Sequence, residues 1–600
     1  MGKEKTMALK ERKEINDKFK WAVNDIYASD AAWKEDLGEL EKLAAIPCQY
    51  KGEIAKGVEN LYAAIKESDE VDYKVERVYV YAFMKYYEDT SNAQYQEMSG
   101  KAQAIAVKMA EKYSFLEPEI LAIDEEILRG YIKTEPMCEY AQLIEDMLAT
   151  KEHSLSDKEE AILAKVANVT GVSGDIFSKF NNADVKFKKV TDSKGEEHDL
   201  TNGRYGALME SQDRELRKSA FENLYASYKD NINTIAAMFY GNVKQAVFYA
   251  DVRKYNSSLE RYLSGSFIPT DVYKSLINTV NENLDLMHRY VSLRKKELKL
   301  SELHFYDIYA PMVKDFNWEV SYEEAKEMAL KALAPMGEDY VEIVKSGYEN
   351  GWVDVYENKG KRSGAFSWGC YGTHPYIFLN YTDTLNDVFT LIHETGHAMH
   401  TYYSNNTQPY VYAGYRIFVA EVASTVNESL LMQYLLKNCT DKEQKKYLLN
   451  HYFEQFKGTL YRQTMFAEFE MKAHEMVENG EVLSASNLCE LYKGLNEKYF
   501  GKDMIIDDNI AYEWARIPHF YTPFYVYQYA TGYSAAIAIS LKILEGDKEV
   551  LEGYKKFLKS GSSMHPIELL KLAKVDMTKP EVVSDALKVF KDLLDQWEEL

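Results

Sequence analysis

Apolar side chains recur every three to four residues from about 30 to 165, as in Leu61, Ala64 and Ile65 or Ile105, Val107 and Met109. The same rhythm runs from Glu215 to Leu300 and, after Thr384, almost to the C-terminus. That spacing lines one face of an α-helix. Little interrupts it: glycine supplies 30 and proline 12 of the 600 residues, below their usual shares of about 7% and 5%, so few positions can end a helix. Such a chain is expected to bury its apolar faces by packing helices in layers. Two segments depart from the rhythm. Residues 185–205 read as two short strands around a polar turn at Ser193, Lys194 and Gly195, and a boundary is placed near 200, between a helical N-terminal region (1–200) and the remainder (201–600). Residues 360–381 carry Gly364, Gly369, Gly372 and Pro375 among aromatic residues and read as two strands and a turn. The expected fold is mainly α with one small sheet.

Lys and Arg total 72 against 95 Asp and Glu, a net charge of -23. A nucleic-acid backbone or an anionic membrane surface would be repelled, so neither is expected as a partner. The five cysteines, Cys48, Cys138, Cys370, Cys439 and Cys489, are odd in number and scattered, without a CxxC pair, which suits a reducing cytoplasm. The first sixteen residues lack an apolar segment, and no stretch reaches the roughly 18 apolar residues of a membrane span. Met1 to Thr6 formally match an N-myristoylation pattern, read here as a solvated charged tail.

Residues 393–397 read His-Glu-Thr-Gly-His, and chance gives roughly 0.02 such patterns in a chain of this composition. Thr384 and Asp387 have the spacing of a helix capping box, and Leu385, Val388, Phe389 and Ile392 carry an apolar stripe into the motif. His393 and His397 then share a helix face and can reach one zinc ion, with Glu394 beside it. Zinc lowers the pKa of its water to about 7, and a neighbouring carboxylate can pass that proton to a leaving amine, which is the chemistry of amide hydrolysis. Gly396 inside a helix costs about 1 kcal/mol relative to alanine and points to close packing or ligand approach.

A catalytic zinc needs a third protein ligand. The metzincin extension would require glycine at 400 and histidine at 403, where this chain has His400 and Tyr403. His400 lies seven residues beyond His393, about 10.5 Å of helix rise, too far to join both histidines on one ion, so it either supports the ligands or belongs to the core. Glu421 sits among small and apolar residues in Phe418 to Glu428; a buried carboxylate there is costly unless compensated, and a metal would do so. Glu428, seven residues on, is placed to hydrogen-bond a ligand histidine or is a surface carboxylate. In the segment from Arg516 to Tyr529, Thr522 and Pro523 read as N-cap and N1 of a helix. His519 then precedes that helix, and Tyr525 and Tyr529 stand one turn apart. Either their polar tips converge on an oxyanion, or, with 48 tyrosines in the chain, they form a packing stripe.

The strings HETGHAMH, QPY, IFVAEVAST and WARIPHFYTPFYVYQYATG, in this order, resemble oligoendopeptidase F of the thimet oligopeptidase-like zinc peptidases. The resemblance implies a large, cytoplasmic, two-lobed helical enzyme with a small sheet next to the HExxH helix and a deep channel that admits only unfolded oligopeptides. It implies one zinc per chain held by His393, His397 and Glu421, with Glu394 as general base and His519, Tyr525 and Tyr529 holding the substrate or the oxyanion. Tyr521, Tyr527 and Tyr533 share the last segment. The strand around Gly364 to Gly372 resembles the edge to which a substrate backbone adds. The expected activity is zinc-dependent hydrolysis of internal peptide bonds. The alternatives are a zinc carboxypeptidase or dipeptidyl carboxypeptidase, for which Arg416 or Arg516 would capture the substrate carboxylate, and an inactive peptide-binding protein.

Overall fold

The computed structural model describes residues 9–313 and 318–600, and the hexapeptide from Met1 to Thr6 lies outside them. The chain is mainly helical, as its periodicity predicts. It packs as two compact units, one formed by Met1–Glu152, Asn317–Tyr434 and Ile539–Lys574, the other by His153–Phe316, Leu435–Ala538 and Val575–Leu600. Six helices matter for the site: α1 (Val58–Glu88), α2 (Ala93–Tyr113), α3 (Leu385–Thr407), α4 (Ile417–Asn438), α5 (Arg462–Glu478) and α6 (Tyr527–Leu544).

In the first unit α1 and α2 lie side by side. Leu61, Ala64 and Ile65 of α1 and Ile105 and Met109 of α2 are buried in one core with Trp33, Val78 and Tyr140. Val107 is 57% exposed: at about 100° per residue it points some 200° away from Ile105, so it does not share the core face. The expected strands form within 360–381, with a third strand that the sequence did not reveal. This sheet consists of Val353–Asp354, Phe366–Trp368 and Tyr376–Phe378. Tyr376–Phe378 is central and fully buried, parallel to Val353–Asp354 and antiparallel to Phe366–Trp368 with Phe366 opposite Phe378 and Trp368 opposite Tyr376. The edge strand Phe366–Trp368 and the central strand Tyr376–Phe378 pack on α3.

In the second unit the expected hairpin forms from Val190–Thr191 and Glu197–His198, antiparallel, with Gly195 at φ +81° in the turn, a conformation glycine adopts without penalty. A parallel pair, Leu303–His304 with Met504–Ile505, is the other sheet.

Candidate functional site

Helix α3 starts where its cap residues dictate. The Asp387 amide donates to the Thr384 hydroxyl at 3.2 Å, and the Asp387 carboxylate accepts from the Thr384 amide at 3.0 Å, an exchange that satisfies two otherwise orphaned donors. His393 and His397 follow in mid-helix, ring centroids 4.9 Å apart. Gly396, between them, explains itself: a Cβ there would lie 2.5 Å from the Ala423 carbonyl oxygen and 2.5 Å from the Ser424 Cα of α4. The missing side chain lets the two helices touch backbone to backbone, which brings Glu421 to the histidines.

Glu421 Oε2 lies 3.5 Å from His393 Nε2 and 3.5 Å from His397 Nε2. The three ligand atoms are within 4.8 Å of one another, and this is the one group of potential metal ligands found among the described residues. Burial disfavours the Glu421 charge, but His397, His393 and the Ser424 hydroxyl outweigh it and bring its pKa down to about 2. The Nδ1 of His393 bonds the Glu428 carboxylate. A carboxylate only accepts, so Nδ1 carries a proton, and Nε2, which faces Glu421, is the nitrogen left to bind a metal once its own proton is lost. Burial opposes a charge on His393, yet Glu428 first and then Glu394 and Glu421 push its pKa up to about 9; a metal bound at Nε2 would displace that proton. Glu394 is buried, and burial raises its pKa, with His393 and His397 pulling the other way. His400 stands apart from this group, 1% exposed and stacked on Tyr415 at 3.7 Å and 7°, with burial holding its pKa down at about 3.

In the second unit His519, Tyr525 and Tyr529 gather. The ring centroids are 6.2 Å apart for His519 and Tyr525, 6.1 Å for His519 and Tyr529, and 5.6 Å for the two tyrosines. His519 is exposed and both tyrosines are half-buried; burial and then Arg462 lower the His519 pKa. The other tyrosines of the segment face inward: Tyr521 stacks on Phe177 at 4.0 Å, Tyr527 meets Tyr273 at 4.9 Å and Tyr533 meets Phe456 at 5.1 Å. The helix expected to begin at Pro523 begins at Tyr527 instead. Phe524 adopts a left-handed φ of +56° and gives its amide to Glu470 at 2.7 Å, which interrupts any helix through it. Tyr525 therefore precedes α6 rather than standing one turn from Tyr529 on it. Glu470, 54 residues upstream, is a residue that no local signal in the sequence singled out. The two arginines considered for carboxylate capture are engaged: Arg416 Nη2 meets Asp146 at 2.8 Å and Arg516 Nη2 meets Glu513 at 3.5 Å.

The pattern of Peptidase family M3 matches residues 207–589, and that of Oligopeptidase F matches residues 119–187. Oligopeptidase PepF of Bacillus subtilis (strain 168) is 48% identical over 597 residues, covering 99% of this chain and 89% of that protein. Group B oligopeptidase PepB of Streptococcus agalactiae is 41% identical over 590 residues, 98% of each chain. A solved Chlamydophila abortus protein, 35% identical, superposes with a TM-score of 0.94 over 98% of this chain and 99% of that one. Oligoendopeptidase-F from Enterococcus faecium, 38% identical, does so with a TM-score of 0.72 over 94% and 97%. By sequence match across most of its length and by fold, the chain belongs to peptidase family M3.

Proposed function

We propose that the protein is a zinc-dependent endopeptidase that hydrolyses internal bonds of short, unfolded oligopeptides. The observation that carries this reading is the convergence of His393, His397 and Glu421 with Glu394 adjoining them in α3. Two imidazole nitrogens and a carboxylate oxygen, without a thiolate, suit a catalytic zinc with one position left open. When bound, zinc supplies Lewis acidity toward the substrate carbonyl and toward water. Glu394 takes the proton from the attacking water and delivers it to the departing amine; its burial and raised pKa suit a group that must hold and release a proton. Glu428 fixes the His393 ring and its tautomer. His519, Tyr525 and Tyr529 hold the substrate and donate to the oxygen that becomes negative during attack.

The strand Phe366–Trp368 lies at the edge of its sheet, which supports addition of a substrate backbone there. Residues 201–600 form the catalytic region and 1–200 the helical N-terminal region, a division supported by the gap between the two matched segments, 119–187 and 207–589. His400 supports the site through packing. No helix among the described residues is long and apolar enough to cross a membrane, and all five cysteines are free, which supports a reducing, cytoplasmic setting. Oligopeptides are the expected partners, as the names of the bacterial relatives state for those proteins, and nucleic acid is not, given the net charge of -23.

Arg416 is engaged by Asp146, and Arg516 by Glu513, which Arg462 shares at 2.8 Å; either arginine would have to give up that partner to capture a terminal carboxylate, which favours internal cleavage over the carboxypeptidase reading. The test is an oligopeptide blocked at both ends. Cleavage is expected; a requirement for a free C-terminus would replace endopeptidase by carboxypeptidase.

A further inference from the structure

Glu470 of α5 is fully buried at 0% exposure, yet among the described residues no salt bridge accounts for it. One oxygen, Oε1, accepts the Phe524 amide at 2.7 Å, and the other, Oε2, is buried without a hydrogen-bond partner. Burial pushes its pKa well above the usual carboxylate range, which favours its protonated form. One turn along α5, the His474 ring lies 4.5 Å from the Phe524 ring, and its Nδ1 bonds the Ser258 hydroxyl at 2.9 Å. Tyr273 and Tyr262 close the same pocket, at 5.7 and 6.0 Å from the Phe524 ring. Phe524 is thus held from two sides, by its backbone and by its ring.

The restraint acts on a strained residue. A non-glycine residue in the left-handed region costs roughly 1–2 kcal/mol, and such conformations persist only where the surroundings enforce them. Phe524 has φ +56°, and Tyr525 is the next residue. Among the described residues the Tyr525 hydroxyl makes no hydrogen bond that would fix its ring, so the backbone at 524 sets the direction in which Tyr525 leaves the chain. Its ring then meets His519 and Tyr529.

We propose that Glu470 is a positioning residue: by holding the Phe524 amide in its left-handed conformation, it aims Tyr525 and the start of α6 for the reaction. This rests on the reading that Tyr525 serves catalysis, and the experiment separates the two. The zinc-loaded enzyme is compared with Glu470→Gln, Glu470→Ala, Tyr525→Phe and the double variant Glu470→Ala/Tyr525→Phe, measuring kcat and KM on a blocked peptide, zinc content and thermal unfolding. Glutamine keeps an acceptor oxygen and should retain most of kcat. Alanine should lower kcat by about ten- to a hundredfold, the range expected for a misplaced catalytic group, with KM little changed and zinc retained. The double variant should be no worse than Tyr525→Phe. Should alanine not fold, Glu470→Leu, which keeps the volume without the acceptor, is measured in its place and read the same way. A folded, zinc-replete Glu470→Ala or Glu470→Leu with unchanged kcat overturns the proposal, as does a double variant whose losses multiply. If Tyr525→Phe alone is silent, the tyrosine reading falls first and takes this proposal with it.

Discussion

Gly396 and Ala423 are in backbone contact: a methyl group at 396 would sit 2.5 Å from the Ala423 carbonyl oxygen and 2.8 Å from its carbon. Neither atom can swing aside as a side chain would. Gly396→Ala should therefore push α3 and α4 apart, destabilise the protein by about 1–3 kcal/mol as overpacked cores do, and weaken metal binding because Glu421 moves from the histidines. Thermal unfolding and metal analysis of the same preparation check both effects. Full stability with full metal content would mean that the helices are not in contact at this glycine.

Glu428 bonds a histidine that the proposal makes a ligand. Removing such a partner typically reduces metal affinity by about 10- to 100-fold. Glu428→Ala should lose zinc to a competing chelator at correspondingly lower concentration, while Glu421→Ala, which removes a proposed ligand outright, should lose it far more readily. Unchanged zinc affinity in Glu421→Ala would place the third ligand elsewhere.

His474 gives the second unit an acid sensitivity of predictable sign. Burial lowers its pKa to about 3 in the folded chain, against about 6.5 when unfolded. Between those values the unfolded state binds the proton and the folded state does not, so stability falls as pH drops below about 6.5 and is unaffected by this group above it. Glu470, whose pKa burial raises, works oppositely, favouring the folded state at low pH. From pH 7 to 5 the His474 contribution amounts to about 2 kcal/mol. Denaturant unfolding of wild type and His474→Gln at the two pH values should show a smaller loss in the variant; equal losses would contradict a buried, neutral histidine.

Substrate length provides another check. A short blocked peptide should be cut readily, whereas the same sequence placed in an exposed loop of a stable folded protein should survive. Equal cleavage of both would remove the restriction to unfolded oligopeptides and leave the zinc chemistry untouched.

What the sequence revealed was what nearby residues decide. The capping box of Thr384 and Asp387 and the histidine pair lie within one helix, and the glycine between them carried its own signal because it is costly there. Glu421 stood out as a carboxylate among apolar neighbours. Distant partners decided the rest. The start of α6 depends on Glu470, which reaches Phe524 across 54 residues of chain, and the strand Val353–Asp354 is two residues long and exists by pairing with Tyr376–Phe378. The two packing units each draw on three separate stretches of chain, so no composition shift along the sequence marks them.

Hydrolysis by the proposed route depends on Glu394 as the base beside a metal held by His393, His397 and Glu421. Its most direct test is the turnover of a blocked oligopeptide by Glu394→Gln, with zinc content measured in the same sample. Zinc should remain at one per chain, because no proposed ligand is altered, while turnover falls by several orders of magnitude. A zinc-replete Glu394→Gln that still turns over the peptide at the wild-type rate would contradict the account.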